Sequence, residues 1–202
     1  TFSNCNFSHS GPRDANNIIV LRTSDSQELN IRNCIFQLDN DAVIDAESTR
    51  RVSIENSLIY ANQEAKSTQY NLMLYCYNSV TISGCPFDNS VVLKFDYPRK
   101  LEFGSCAFGN DLETNINCYR RISPVIYNSI FRAQLLYSYD RTPGFRYSLL
   151  PALARGDGNI AGDPLLANPE AYDYRLTSES PCIDTGDPNA AATRDIAGHW
   201  RP

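Results

Sequence analysis

Two columns of side chains, twelve and ten residues upstream of a recurring Cys or Ser, carry the chemistry open to this chain. The first reads Arg22, Asp45, Met73, Lys94, Asn117 and Leu136; the second reads Ser24, Glu47, Tyr75, Asp96, Tyr119 and Ser138. Tyrosine offers an apolar ring face with a polar tip. Beside carboxylates and amides, such rings suit a sugar polymer. Arg22, Asp45, Glu47, Tyr75, Asn117 and Tyr119 are therefore the expected substrate-binding set of a glycan groove. Asp45 and Glu47, at i and i+2 of one strand, would stand about 7 Å apart, near the separation of an inverting hydrolytic pair. The competing reading is a solvated sheet face laced with cross-strand charge pairs.

The element that must position these residues is a repeat. A phrase returns at Phe2–Phe7, Leu29–Phe36, Val52–Ile59, Val80–Phe87, Leu101–Phe108 and Val125–Phe131, with a degenerate copy at Phe145–Leu150. It reads apolar-x-apolar, two residues, Cys or Ser, any residue, then a large apolar side chain. Thirteen residues before each Cys/Ser slot stand Leu21, Ile44, Leu72, Leu93, Ile116 and Leu135, each inside an apolar-rich run. Every repeat is thus expected to be strand, turn, strand, tight turn, strand, loop. The period of two sends Ile19, Leu21 and Thr23 inward, as it does Ala42, Ile44 and Ala46, then Val91, Leu93 and Phe95, then Thr114, Ile116 and Cys118. Self-similarity at this period predicts an all-β solenoid, a right-handed parallel β-helix of about seven coils over residues 1–150. The Asn before the slot (Asn4, Asn33, Asn56, Asn128) fits a tight bend, because Asn tolerates the left-handed region; Gly84 replaces it for the same reason. All variation in length is expected between the third strand of one repeat and the first strand of the next, which marks that edge as the working face.

Composition narrows the class. The chain has 202 residues, 12 Tyr and 9 Phe, a formal charge of -5 and a pI near 5.0. An acidic balance without a Lys/Arg cluster argues against a nucleic-acid partner, and no apolar run is long enough to span a membrane. An open first coil would expose strand edges, so the reading expects further coils of a larger chain on the N-terminal side. Seven Cys is an odd number. Four of them (Cys5, Cys34, Cys85, Cys106) share the slot that Ser57 and Ser129 also fill, which favours free thiols, although Cys85 and Cys106 would lie about 4.8 Å apart. His9 and His199 form no zinc pattern, and no Ser–His–Asp triad is supported. Asp39 and Asp41 with Arg50 and Arg51 read as exposed loop charges.

Residues 151–202 break the pattern and read as an irregular C-terminal cap. They carry Gly162-Asp-Pro-Leu-Leu166, Asp173-Tyr-Arg-Leu176, Ser180-Pro-Cys-Ile-Asp184-Thr-Gly186 and Asp195-Ile-Ala-Gly198. This succession resembles the C-terminal end of bacterial secreted right-handed parallel β-helix proteins of the pectin-lyase-like kind. Leu166 stands where Phe is usual and Cys182 where Ala is usual. Asp163, Asp173, Asp184, Asp187 and Asp195 are read as turn-forming groups and not as calcium ligands.

The resemblance implies a secreted or cell-surface location and acids, calcium ligands and a Lys or Arg base on the first-strand sheet. Lys94, Asp96 and Arg120 would then be the catalytic candidates, a base with charge neutralisation for β-elimination on a uronate. Asp45 and Glu47 would be the calcium or hydrolytic candidates, and calcium or nothing would be the cofactor. No contiguous catalytic motif of that family is present. The expectation is a module that binds acidic polysaccharide, with lyase or glycoside hydrolase activity undecided. The alternative is a non-catalytic structural or adhesive spacer of a larger surface protein.

Overall fold

Three parallel sheets share the strands in rotation, so that every third strand is hydrogen-bonded to the one before it. The computed structural model describes residues 1–8, 19–23, 26–38, 42–46, 49–61, 70–76, 78–87, 91–96, 98–109, 114–118, 122–133, 135–138 and 143–189. The first repeat contributes β1 (Phe2–Ser3), β2 (Asn6–Ser8) and β3 (Ile19–Arg22), the second β4 (Glu28–Arg32), β5 (Ile35–Leu38) and β6 (Ala42–Asp45). The third contributes β7 (Arg51–Glu55), β8 (Leu58–Ala61) and β9 (Tyr70–Tyr75), the fourth β10 (Ser79–Ser83), β11 (Pro86–Phe87) and β12 (Val91–Asp96). The fifth contributes β13 (Lys100–Gly104), β14 (Ala107–Phe108) and β15 (Thr114–Cys118), the sixth β16 (Val125–Tyr127), β17 (Ile130–Phe131) and β18 (Leu135–Ser138). The seventh adds β19 (Gly144–Arg146) and β20 (Leu149–Leu150), after which come β21 (Ile160–Ala161), β22 (Leu166–Asn168) and β23 (Asp173–Leu176).

Sheet A runs β1-β4-β7-β10-β13-β16-β19, sheet B runs β2-β5-β8-β11-β14-β17-β20-β21, and sheet C runs β3-β6-β9-β12-β15-β18. All their pairings are parallel; only β22 and β23 pair antiparallel. The chain is all-β, in stacked parallel sheets, an arrangement consistent with a parallel β-solenoid.

The recurring phrase is legible as physics at the bend between sheets A and B. The residue before each slot has positive φ: Asn4 56°, Asn33 52°, Asn56 49°, Gly84 63°, Ser105 53°, Asn128 50° and Tyr147 47°. Asn and Gly are the side chains that take this region at least cost; Ser105 and Tyr147 show that the bend imposes it on others too. The amide of that residue stays in the backbone ladder, as when Asn33 donates to the Glu55 carbonyl at 3.1 Å and Asn56 to that of Ser83 at 2.9 Å.

The slot amide, turned out of the ladder, would be a buried orphan. It donates instead to the slot side chain of the next repeat: Cys34 to Ser57 Oγ at 3.1 Å, Ser57 to Cys85 Sγ at 3.4 Å, and Cys106 to Ser129 Oγ at 3.2 Å. Ser129 donates likewise to Ser148 Oγ at 3.2 Å. Each slot side chain donates in turn to the carbonyl two residues back, for example Ser57 to Glu55 at 2.9 Å and Cys85 to Ser83 at 3.3 Å. A small side chain that both accepts and donates is what the site requires, which is why Cys and Ser alternate there. All seven Cys are free.

Inside, like stacks on like. The slot-plus-two column holds Phe7, Phe36, Ile59, Phe87, Phe108 and Phe131 in register. Phe108 lies in stacked contact with Phe87 at 4.9 Å and Phe131 at 4.4 Å between ring centroids. Leu29, Ile31, Val52, Ile54, Val80, Ile82, Leu101 and Phe103 line the inner face of sheet A, and Ile44, Leu74, Leu93, Phe95 and Ile116 that of sheet C.

Residues 151–189 do two things. Asn159 imitates the slot, its Oδ1 accepting the amide of Ser148 at 3.1 Å, while β21 continues sheet B past β20. The β22–β23 hairpin then runs back along the outside of sheet B. Tyr172 packs on Tyr60 with ring centroids 4.6 Å apart, and Tyr174 lies over Gly109 and donates to the Phe87 carbonyl at 3.5 Å. Asp187 N–H reaches Asn128 Oδ1 at 2.7 Å. Three of the tail aspartates make the turns expected of them: Asp163 accepts from Leu165, Asp173 from Arg175 and Asp187 from Asn189, while Asp184 itself takes the left-handed conformation at φ 58°. Asp195 lies outside the described residues.

Candidate functional site

The outer face of sheet C holds the sequence candidates in a register that differs from the expected one. Leu21 does pair with Ile44, and Leu72 with Leu93, but Ile44 pairs with Leu74 and Ile116 with Tyr137, two residues beyond the expected partners. The cause is the corner between sheets C and A, which uses residues 46–50 in the second repeat and 76–78 in the third. Length variation is therefore not confined to the corner between sheets B and C. A shift of two residues keeps every side chain on its face, because the strand period is two. The inward set survives while the columns change members.

In backbone register Val20, Val43, Met73, Lys94, Asn117 and Ser138 fall in one line, and Val43, Met73, Lys94 and Asn117 stand on its outer face. The other outer column is Arg22, Asp45 and Tyr75, with Asp96 next in backbone register. Arg22 and Asp45 thus belong with Tyr75 and Asp96, and not with Met73 and Lys94. Neighbours in a column are about 4.8 Å apart, and the two columns about 7 Å.

Arg22 and Asp45 face each other, Nε donating to Oδ2 at 2.8 Å, with 74% and 26% of the side chains exposed. Asp45 is thereby committed to a guanidinium. A calcium ion needs six to eight oxygen ligands, and this carboxylate would first have to give up Arg22, so it suits calcium poorly. No group of three or more His, Cys, Asp or Glu placed to hold a metal occurs among the described residues. Glu47, Tyr119, Arg120, His9 and His199 lie outside the described residues, as do Asp39 and Asp41.

Lys94 is half-buried and central. It sits on β12 between Met73 and Asn117, two residues after Val92 on the same outer face. Val92 is 6% exposed although it points away from the core, so β12 is apolar on both faces at its start. Among the described residues Lys94 forms no ion pair. Asp96, two residues on, is paired in the backbone with Tyr75. Lys94, Asn117 and Tyr75 are therefore brought onto adjacent strands of one surface.

Sheet A presents a contrasting face. Arg51 pairs with Glu28, Arg32 with Glu55 at 3.0 Å, and Lys100 with Glu102 at 2.9 Å. These pairs were not anticipated from sequence, where only sheet C was read as charged. For Glu28–Arg51 and Arg32–Glu55 the signal was present as opposite charges 23 residues apart, one repeat length, whereas Lys100 and Glu102 stand at i and i+2 of one strand.

The class of protein these observations define is an all-β chain of stacked parallel sheets whose sheet C carries both apolar (Val43, Met73, Val92) and polar (Asp45, Tyr75, Lys94, Asn117) side chains on its outer face. No family model matches the chain, and neither the curated proteins nor the solved structures contain a match to it.

Proposed function

We propose that the chain is a right-handed parallel β-helix of the pectin-lyase-like kind and that the outer face of sheet C binds acidic polysaccharide in an extracellular or cell-surface setting. The observation that carries this reading is Lys94: a half-exposed cation without an ion-pair partner among the described residues, beside Asn117 and one column from Tyr75. A polymer lying along the column meets a cation for its carboxylate, an amide for its hydroxyls and an aromatic ring, at spacings set by the strands. Cleavage is the further step. Cleavage by β-elimination would need Lys94 in its deprotonated form to take the proton α to the uronate carboxylate as the C4–O bond breaks and the leaving oxygen gains a proton. Arg120 would neutralise the carboxylate, with Asp96 the third candidate beside Lys94.

The second reading is a non-catalytic spacer. It is favoured by the four ion pairs Arg22–Asp45, Glu28–Arg51, Arg32–Glu55 and Lys100–Glu102, which satisfy most strand charges internally. Incubation with a panel of uronate polymers, with and without calcium, separates the two, reading binding and the absorbance of unsaturated products. Binding abolished by Lys94→Ala supports the glycan reading, and absence of binding to every polymer leaves the spacer.

A further inference from the structure

Cysteine fills the slot in two pairs of successive repeats, Cys5 with Cys34 and Cys85 with Cys106. Ser3 pairs with Arg32 and Asn6 with Ile35, so Cys5 and Cys34 stand in register between them. Cys5 Sγ donates to the Ser3 carbonyl at 3.4 Å and Cys34 Sγ to the Arg32 carbonyl at 3.2 Å, and those carbonyls belong to paired residues. The two sulfurs therefore project alike from neighbouring strands, on Cα atoms about 4.8 Å apart, inside the range a disulfide spans. Cys34 Sγ also reaches towards the first repeat, 4.0 Å from the Phe2 carbonyl. Burial raises the Cys34 thiol pKa, and a hydrogen bond with the Cys5 thiol pushes the same way. What separates the two pairs is access. Cys85 and Cys106 are 0% and 1% exposed with repeats stacked on both sides. Cys5 is half-exposed, and β1 and β2 on either side of it are the outermost described strands of sheets A and B. Held on one side only, the first repeat is free to make the small approach that an S–S bond needs.

We propose that Cys5 and Cys34 are an oxidation site, at which a peroxide joins the two thiols in a disulfide that fastens the first repeat to the second. The accessible Cys5 sulfur attacks hydrogen peroxide as its thiolate; the O–O bond breaks, Cys5 becomes a sulfenic acid, and the leaving hydroxide takes a proton to become water. Cys34 sulfur then attacks the sulfenic sulfur, the S–O bond breaks, and the Cys34 proton leaves with that oxygen as a second water. Two thiols and one peroxide thus give one disulfide and two waters. The link bridges two strands that hydrogen bonds alone otherwise join, and so restrains fraying of the first repeat. The inference does not depend on the glycan reading. The competing role for both cysteines is that of slot fillers, interchangeable with Ser57 and Ser129 and no more reactive than Cys85 and Cys106.

The test is non-reducing peptide mapping of the full folded chain, first reduced, then exposed to hydrogen peroxide and alkylated. A peptide pair joined through Cys5 and Cys34 appears with the loss of two hydrogens, while Cys85 and Cys106 stay reduced. Hydrogen exchange of the β1 and β2 amides slows by about tenfold or more on oxidation and recovers with dithiothreitol. Cys5→Ser and Cys34→Ser each abolish both effects in a folded protein, because Ser keeps the hydrogen bonds of the slot as Ser57 and Ser129 do. Cys85→Ser leaves both effects intact. Absence of the joined peptide overturns the proposal, as does Cys5 joined to any other cysteine. Joining of Cys85 to Cys106 to the same extent overturns it too, since access would then decide nothing. Unchanged exchange in the joined protein, or slowed exchange in oxidised Cys34→Ser, overturns the fastening of the first repeat.

Discussion

The amide of Cys106 donates to the hydroxyl of Ser129, 3.2 Å away in the next repeat, and both residues are 1% exposed. The slot side chain therefore belongs energetically to the repeat before it. Ser129→Ala leaves the Cys106 N–H buried without an acceptor, which costs about 1–3 kcal/mol. Ser129→Cys, which reproduces the acceptor that Cys85 offers to Ser57, costs less. Denaturant midpoints for the two variants check this; equal midpoints for Ser129→Ala and the parent would mean that the links carry nothing.

Phe108 stands between two stacked rings and is 2% exposed. Phe108→Ala removes contacts to both, and the cavity costs about 3–5 kcal/mol. Because the aromatic column joins successive repeats, the loss appears as one lowered transition and not as melting of a single repeat. Thermal unfolding followed by circular dichroism reports it.

The tail is coupled to the repeats through Gly109. A Cβ at that position collides with the Tyr174 ring, so Gly109→Ala displaces the β22–β23 hairpin. The penalty disappears when Tyr174 is already Ala, giving a coupling of about 0.5–3 kcal/mol in a double-mutant cycle. Limited proteolysis near β23 offers a second readout, with Gly109→Ala cut faster than the parent and the double variant no faster than Tyr174→Ala.

Stability falls in alkali. Burial raises the Cys118 thiol pKa to about 11 and pushes that of Cys85 well above its usual value. The unfolded chain ionises these thiols near pH 9 while the folded chain does not. Their contribution is therefore whole below about pH 8.5 and is lost as the pH rises through the folded values. Cys118→Ala flattens the decline between about pH 9 and 11. A Cm–pH profile that is flat in the parent would contradict it.

At the acid end, hydrogen bonds from Arg175 lower the Asp173 pKa to about 2. A depressed carboxylate stabilises the fold above its unfolded value near pH 4, and the contribution disappears as the pH falls towards 2. The pair is exposed and small in effect, so Asp173→Asn narrows the difference between pH 5 and pH 2 only at low salt.

The sequence by itself determined which residues turn inward and where the chain bends. Strand periodicity needs no partner to be read: Ile44, Leu93, Phe95, Ile116 and Cys118 are buried as their alternation requires. The left-handed bends announce themselves through Asn and Gly, residues chosen for a local backbone reason. Ser105 and Tyr147 escaped notice because the bend there is imposed by the neighbouring repeats and not by the residue. Tertiary structure alone decided which outward side chains meet. Counting from the slot assumed a constant corner between sheets C and A, and a two-residue change there moved Arg22 and Asp45 beside Tyr75 and Asp96. Nothing in the outward residues marks that shift, since solvent-facing positions carry no burial pattern to fix register. The ion pairs of sheet A were hidden for the same reason: whether a surface charge has a partner depends on distances that only the stacked sheets set.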